Sequence, residues 1–275
     1  MKRIFVFQEG NSQKFWSIEI KGASLDIAYG RLGTAGQVSS KLFDSDEKCK
    51  KEADKLIKEK TGKGYKELSD DTAMPTVDTK MVQAAKEKQS ADAEKFKEQF
   101  WTIIDNAKES ARGWEGMCDP LQEALMQLDA KDILRWGQVF NFYHELSYKN
   151  KLWAAAYIIN GGCSDDGFDY FRAWLIAQGK EVFLKALLSP ESLAELNVSE
   201  GDVEFEDIMS IASTAFEEID AERDYYEMLD KCSLTMEEKR VIKSEIIYDS
   251  NIDVEWDEDE DMLSKLLPKL SKKFE

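Results

Sequence analysis

The sequence predicts an α+β module at the N-terminus, a small antiparallel sheet with one covering helix, followed by a larger all-α domain. Three observations lead to this fold class. Apolar and polar residues alternate in short runs over residues 1–43, as is typical of half-buried strands, and glycines separate the runs. Beyond residue 90, apolar residues recur at helical spacing without a convincing strand pattern. The net charge also changes sign between the two regions.

The charge is divided unevenly along the 275 residues, whose net charge is −18. Residues 1–68 contain 14 lysines and arginines against 10 aspartates and glutamates, a net charge of +4. The remainder contains 23 basic against 45 acidic residues, a net charge of −22. Because phosphate contacts dominate nucleic-acid affinity, the charge of each domain is a better guide to its partners than the total. We predict a basic domain over residues 1–68, a linker over 69–90 and an acidic all-α domain over 91–275.

Composition argues against several classes of protein. Hydrophobic residues make up 43% of the chain, enough for packed cores, and no run of 18 apolar residues suggests a membrane span. The apolar stretch near Met1 is too short for a secretory signal peptide, so we expect a cytoplasmic protein. The four cysteines form no CxxC pair and there is one histidine, so we expect no metal site and no cofactor.

The N-terminal module is predicted to contain three or four antiparallel strands and one helix. A turn is expected over residues 33–36, between the third and fourth strands, because glycine occurs twice there. The helix is expected to begin at Ser45 or Asp46, either of which can accept bonds from free backbone N–H groups, and to end near Gly62. The expected strands are residues 4–7, 15–20, 25–30 and 37–43.

Lysines form a stripe along this predicted helix. Lys48, Lys51, Lys55 and Lys58 recur at helical spacing, beside an apolar stripe that would cover the sheet. One interpretation is a solvated face with partial pairing, Glu47 to Lys51 and Asp54 to Lys58. The other is a surface that faces phosphate groups. The sequence leaves both open.

Three separated blocks of the first 68 residues resemble a known family. They read KFWSIEI at residues 14–20, YGRLGTAGQ at 29–37 and KTGKGY at 60–65. In this order they resemble a WGR domain, a module of DNA-damage-responsive poly(ADP-ribose) polymerases and of bacterial proteins described as molybdate metabolism regulators. The resemblance covers nearly all of residues 1–68 and implies a small sheet with one helix.

The resemblance also implies roles for two residues. In the polymerases the tryptophan of the motif packs on a sugar at a DNA end, and the arginine links the domain to its neighbours. These roles would fall to Tyr29 and Arg31, with tyrosine standing where the family usually has tryptophan. A tyrosine ring can also stack on a sugar or a base. The alternative for Tyr29 is a strand aromatic packed on the core of its own domain.

These observations give a candidate nucleic-acid site. Its contacts would go to phosphates and sugars more than to base edges, so little sequence specificity is expected. Nothing in this module suggests catalysis, because it has no histidine and its glycines lie in hairpin turns. The candidate nucleic-acid-binding residues are Lys14, Tyr29, Gly30, Arg31, Lys51, Lys55 and Lys58.

A distinctive segment of the second region is WAAAYIINGGCSDDGFDYFRAWLI, at residues 153–176. It resembles a bacterial all-α domain of unknown function that is sometimes joined to WGR modules, and the likeness extends over roughly 95–275. It implies a fold and no established activity. Ser90 or Asp92 is expected to cap the first helix of this domain, and Asp129 a later one.

The loop over residues 161–167 has three interpretations. The one we favour is helix capping, in which Ser164 and the two following aspartates begin the next helix. Cys163 at a helix N-terminus could instead form a nucleophilic site with His144. A metal held by Asp165, Asp166 and Asp169 is the third.

The sequence thus predicts a non-enzymatic, nucleic-acid-binding regulatory or accessory protein, with DNA preferred. It would bind through the WGR-like module, while the acidic domain modulates binding by competing for the lysines, or recruits a protein partner. The alternative is a protein–protein adaptor that binds no nucleic acid. A third interpretation is an enzyme centred on Cys163 or on the loop at Asp165 and Asp166.

Overall fold

The N-terminal part of the chain folds into an antiparallel sheet covered by one helix. The computed structural model describes residues 2–9, 12–32, 34, 36–68, 79–201 and 203–274. Within them the sheet has five strands in the order β4-β3-β2-β1-β5. The elements are β1 (Lys2–Glu9), β2 (Ser12–Lys21), β3 (Ser24–Arg31), β4 (Gln37–Leu42), α1 (Asp46–Gly62) and β5 (Lys66–Glu67).

One face of the sheet forms a core with α1. Phe5 lies opposite Trp16, which lies opposite Tyr29 on the next strand, so the three share a face. Trp16 is buried against Phe5, with ring centroids 5.3 Å apart. From α1, Cys49 and Ala53 complete this core and are fully buried. The alternation that predicted the strands is therefore the alternation between helix-facing and outward-facing side chains.

The predicted start and end of α1 are confirmed. Ser45 caps the helix, because its side chain accepts a hydrogen bond from the Lys48 backbone N–H at 3.3 Å. The helix ends at Gly62. In the predicted turn before β4, Gly33 and Ala35 lie outside the described residues, whereas Gly36 has a φ of +66°, in the left-handed region that favours glycine.

From residue 79 onward, the described residues are mainly helical. Short 3₁₀ helices cover Pro190–Glu195 and Asp207–Ser210. The α-helices are α2 (Thr79–Ala111), α3 (Cys118–Leu125), α4 (Ala130–Leu146), α5 (Asn150–Asn160), α6 (Asp165–Ala177), α7 (Lys180–Leu188), α8 (Ile211–Ile219), α9 (Tyr225–Lys231), α10 (Met236–Ser244), α11 (Glu260–Leu266) and α12 (Pro268–Phe274). The α+β module followed by an all-α region is thus confirmed. None of the helices in the described part of the chain is long and apolar enough to cross a membrane.

Aromatic rings dominate the core of the helical region. Phe100 on α2 lies with its ring centroid 5.1 Å from that of Trp136 and 5.3 Å from that of Tyr143, both on α4. Trp101 contacts Tyr143 and also Phe183 on α7, at centroid distances of 4.7 and 5.4 Å. These five side chains are buried, and they join helices that are far apart in the sequence.

The chain divides into two compact units. The sheet unit comprises Met1–Glu94 with Met236–Glu238, and the helical unit comprises Lys95–Thr235 with Lys239–Glu275. Residues 69–78 of the predicted linker lie outside the described residues, and residues 79–90 are helical. The predicted domain limits stay a prediction.

Two predictions about helix caps have opposite outcomes. Capping by Ser90 or Asp92 is wrong, because α2 already begins at Thr79 and runs through both positions. The segment before Ser90 is rich in alanine, lysine, glutamine and glutamate, whose helix propensity is high enough to start the helix earlier. Asp129 does cap α4, since its carboxylate accepts a hydrogen bond from the Asp132 backbone N–H at 2.8 Å.

Candidate nucleic-acid interface

Tyr29 lies on β3 between Trp16 on β2 and Gln37 on β4. Its side chain shares a face of the sheet with the buried Trp16, but 44% of Tyr29 is exposed, whereas Trp16 is 2% exposed. The ring of Tyr29 therefore stands at the margin of the core, with much of its surface open to a ligand. Neither of the two interpretations of Tyr29, as stacking residue or as core aromatic, accounts for it alone.

Lys14 and Arg31 lie directly opposite each other on β2 and β3. Because side chains on a strand alternate, both project from the same face as Trp16 and Tyr29. Directly opposed Cβ atoms in an antiparallel pair are about 4.5–5.5 Å apart, and like charges so placed destabilise the pair. Both side chains are exposed, and no carboxylate of the described residues lies within 4.0 Å of either charge. Among the described residues, this pair of cations therefore has no ion-pair partner.

Gly30 occupies the opposite face of β3, where backbone comes very close. A Cβ atom at Gly30 would lie 2.6 Å from the Gly36 Cα and 3.2 Å from the buried ring of Phe15. The absence of a side chain therefore lets the start of β4 approach β3 over Phe15. This geometry gives Gly30 a structural role: it shapes the hairpin that carries Tyr29 and Arg31.

Lys51, Lys55 and Lys58 lie on the outward side of α1. All three are exposed, about half a helical turn away from the buried Cys49 and Ala53. They lie on a different element from Lys14 and Arg31, which are on β2 and β3. In the described residues, neither Lys51 nor Lys58 has an ion pair, so the predicted pairs to Glu47 and Asp54 are not formed. The ion pairs on this helix are Lys48–Asp44, Lys55–Glu52 and Lys63–Glu59, at 2.6, 3.8 and 2.5 Å.

Lys60 was not among the predicted contacts, yet its charge lies close to two aromatic rings of the sheet unit. Its Nζ atom is 5.8 Å from the ring centroid of Trp16 and 5.4 Å from that of Tyr65. Trp16 is the direct cross-strand neighbour of Tyr29, so Lys60 adds a half-buried cation beside the exposed row formed by Tyr29, Lys14 and Arg31. The only signal in the sequence was its place at the start of the block KTGKGY.

The loop before α6 is a helix cap, as favoured. The Gly167 backbone N–H donates to the Ser164 hydroxyl at 3.1 Å, and Asp165 and Asp166 fill the first turn. Burial and the nearby Glu204 carboxylate raise the pKa of the Cys163 thiol to about 12. A thiol with such a pKa is protonated at neutral pH and is a poor nucleophile.

His144 has other partners. Its Nε2–H donates to the Asp169 carbonyl at 2.9 Å, and its Nδ1 accepts from Arg172 Nη1 at 3.1 Å. Burial, together with the Arg172 guanidinium, lowers the pKa of His144. Among the side chains that the structure describes, no group of three His, Cys, Asp or Glu is placed to hold a metal ion.

The buried imidazole makes the stability of the helical unit depend on pH. The pKa of an unfolded histidine is about 6.5, and the folded value is lower. The unfolded chain therefore binds more protons between the two values, and stability decreases as pH falls below about 6.5. We expect a slope of at most about 1.4 kcal/mol per pH unit.

The slope can be measured by urea unfolding at several pH values between 5.5 and 7.5. Tryptophan fluorescence reports mainly the helical unit, which contains six of the seven tryptophans. His144 is the only histidine, so His144→Gln should flatten the profile in this range. Equal slopes in both proteins would contradict the assignment.

Two family models match the chain. The family "WGR domain" matches residues 1–72, and the family "Protein of unknown function (DUF4240)" matches residues 96–218. Among curated proteins of Escherichia coli K12, the chain is similar to the uncharacterized protein YfeS, with 46% identity over 67 residues, 24% of this chain and 28% of YfeS. Protein YehF is 39% identical over 72 residues, 26% of each chain.

These likenesses are confined to short segments. The chain spans little more than a quarter of the length of the curated relatives it matches. A crystal structure of a Bacteroides fragilis protein shares 54% identity over 25% of this chain and 20% of that one, with a TM-score of 0.25. A score of this size carries no argument about the fold.

Proposed function

Since residues 1–72 are a WGR domain and residues 96–218 a DUF4240 domain, we propose that the protein is a cytoplasmic, non-enzymatic regulatory or accessory protein that binds nucleic acid. WGR domains are associated with nucleic-acid binding, and the resemblance to DNA-damage-responsive polymerases favours DNA over RNA. The proposed site is the row formed by Tyr29, Lys14 and Arg31, with Lys60 beside it.

One observation supports this proposal above the others. Lys14 and Arg31 oppose each other directly across two strands, next to an exposed tyrosine ring. Two adjacent cations cost folding energy unless an anion lies between them. A phosphate would supply that anion, and the neighbouring sugar or base would lie on Tyr29. Such contacts read no base edges, so little sequence preference is expected.

Removing the charge of Arg31 should weaken DNA binding strongly. A hydrogen bond to a charged group contributes about 1.5–3 kcal/mol, so Arg31→Ala should raise the Kd at least about tenfold. It should also reduce the slope of log K against log salt by about 1, because one phosphate contact is lost. Fluorescence anisotropy with a labelled duplex, at several salt concentrations, measures both quantities.

The matched control is Lys41→Ala on β4. Lys41 is exposed, carries the same charge and lies opposite Leu25, four ladder pairs from Tyr29 along β3. Its removal should change the Kd by less than about threefold, since it leaves all the proposed contacts intact. If Arg31→Ala and Lys41→Ala weaken binding equally, the row is not the site.

The acidic helical unit supports a second candidate, a protein–protein adaptor that binds no nucleic acid. The chain beyond residue 68 has a net charge of −22, which repels phosphate and attracts basic proteins. Absence of duplex binding at low salt would favour this function over the first.

The proposed modulation of DNA binding by the acidic domain is tested in the same titration with a chain shortened to residues 1–75. Equal DNA affinity of the short and full chains would contradict it.

A further inference from the structure

The helical unit contains a cleft that the proposed function does not use. Its volume is about 390 Å³, within the range of small-molecule sites, about 300–1,000 Å³. Three aromatic side chains line it, Trp114, Tyr170 and Phe205. The rest of the lining is acidic, from Glu115, Glu204, Glu206 and Asp207.

The aromatic walls are fixed in place. Trp114 and Phe205 meet edge to face, with ring centroids 5.2 Å apart, and Phe205 is buried. The Phe205 backbone N–H donates to the Tyr170 carbonyl at 3.0 Å, which attaches this segment to α6. The Tyr170 hydroxyl donates to the Glu206 carboxylate, and this bond raises the pKa of Tyr170. The Glu206 carboxylate thereby orients the Tyr170 side chain.

The four carboxylates differ from others in the same unit. Asp249 pairs with Lys151 at 3.1 Å and Glu227 with Lys231 at 2.5 Å. In contrast, no lysine or arginine of the described residues lies within 4.0 Å of the carboxylates that line the cleft. The cleft thus concentrates negative charge beside aromatic side chains, a residue type whose rings attract cations.

We propose that this cleft binds an organic cation carrying alkylammonium groups. Aromatic faces recognise ammonium groups, and the carboxylates supply the opposing charge. A small metal ion fits less well, because the described part of the chain contains no group of three acidic, histidine or cysteine side chains placed for one. An anion would be repelled. The ammonium could belong to a free polyamine or to a lysine side chain of another protein.

The test is isothermal titration calorimetry of the full chain with spermidine, with a capped lysine-rich peptide and with Mg²⁺. We expect saturable binding of spermidine, of the peptide, or of both. Stronger binding of spermidine would identify a free polyamine as the source, and stronger binding of the peptide a protein side chain. The double variant Glu204→Gln and Glu206→Gln should weaken binding about tenfold, since it removes two opposing charges.

The matched control is Glu217→Gln with Glu218→Gln on α8, two exposed carboxylates outside the cleft. It removes the same charge and should leave the affinity unchanged. Equal weakening in both double variants, binding of Mg²⁺ as tight as that of spermidine, or no saturable binding of either ammonium ligand would each overturn the proposal. All four substituted carboxylates are exposed, so the thermal midpoints of the variants should match that of the parent.

Discussion

Replacing Glu245 by alanine is expected to lower the free energy of unfolding of the helical unit by about 3–5 kcal/mol. The Glu245 carboxylate lies 3.2 Å from Lys97 Nζ and 3.2 Å from Lys180 Nζ. It also accepts hydrogen bonds from the Tyr143 hydroxyl and from Trp101 Nε1. One carboxylate therefore joins α2, α4 and α7 in the core.

The size of this effect follows from burial. The side chain of Lys97 is 8% exposed and that of Glu245 11% exposed, so water screens their charges poorly. Burial and the Glu245 carboxylate raise the pKa of Tyr143, which keeps its hydroxyl protonated as a donor. Without Glu245, this hydroxyl loses its carboxylate acceptor and two lysines lose an opposing charge. Removing one partner of a buried charge pair lowers the free energy of unfolding far more than replacing the whole pair by apolar residues would.

Urea unfolding followed by tryptophan fluorescence measures the loss. Glu245→Gln should have an intermediate effect, because an amide oxygen can still accept from Tyr143 but carries no charge. Glu218→Ala, on an exposed turn of α8, should change stability by no more than about 0.5 kcal/mol. A loss below about 1 kcal/mol for Glu245→Ala would show that the network is not a stabilising centre.

Gly36→Ala is expected to destabilise the sheet unit by about 2–5 kcal/mol, from two causes. The left-handed backbone of Gly36, with φ at +66°, costs an alanine about 1–2 kcal/mol. The new methyl group would also lie 2.5 Å from the Tyr29 carbonyl oxygen and 2.6 Å from the buried Phe15 ring. Overpacking of this kind adds about 1–3 kcal/mol.

The loss should appear in hydrogen exchange of the backbone amides of β2 and β3, which report the sheet unit directly. DNA binding should weaken in parallel, because the clash displaces the strand that carries Tyr29 and Arg31. The control is Gly62→Ala, where no atom lies within 4 Å of the added Cβ. There alanine should stabilise the end of α1 by up to about 1 kcal/mol. Equal protection in Gly36→Ala and the parent would refute the predicted strain.

Local signals in the sequence predicted β1 to β4, α1 and part of the candidate site, but not the two-residue strand β5 (Lys66–Glu67) or the start of α2 at Thr79. The alternation of apolar and polar residues, together with the glycines, predicted β1 to β4, and Ser45 and Asp129 predicted two helix starts. Strand alternation and helix capping both depend on residues that are close together in the chain. Tyr29 and Arg31 were found from their motif. That Lys14 lies opposite Arg31 depends on the register of a hairpin, which is a property of two strands together.

Long-range features left no comparable signal. The Tyr143–Glu245 bond joins residues 102 apart, and the cleft joins Trp114 to a segment some 90 residues later. Lys60 was missed because a lysine in a lysine-rich helix gives no sign of facing a tryptophan. Among the lysines of α1, Lys60 is distinguished only by how the helix packs on the sheet.

The positions of the cysteines allow local opening of the sheet unit to be measured by thiol labelling. Cys49 is the only cysteine of the sheet unit and is fully buried on the face of α1 that packs on the strands, whereas Cys118, Cys163 and Cys232 belong to the helical unit and are half-buried. A thiol reagent can reach Cys49 only when α1 separates from the strands. The alkylation rate of this one residue, read by mass spectrometry, therefore measures how often α1 opens away from the sheet, separately from the cysteines of the helical unit.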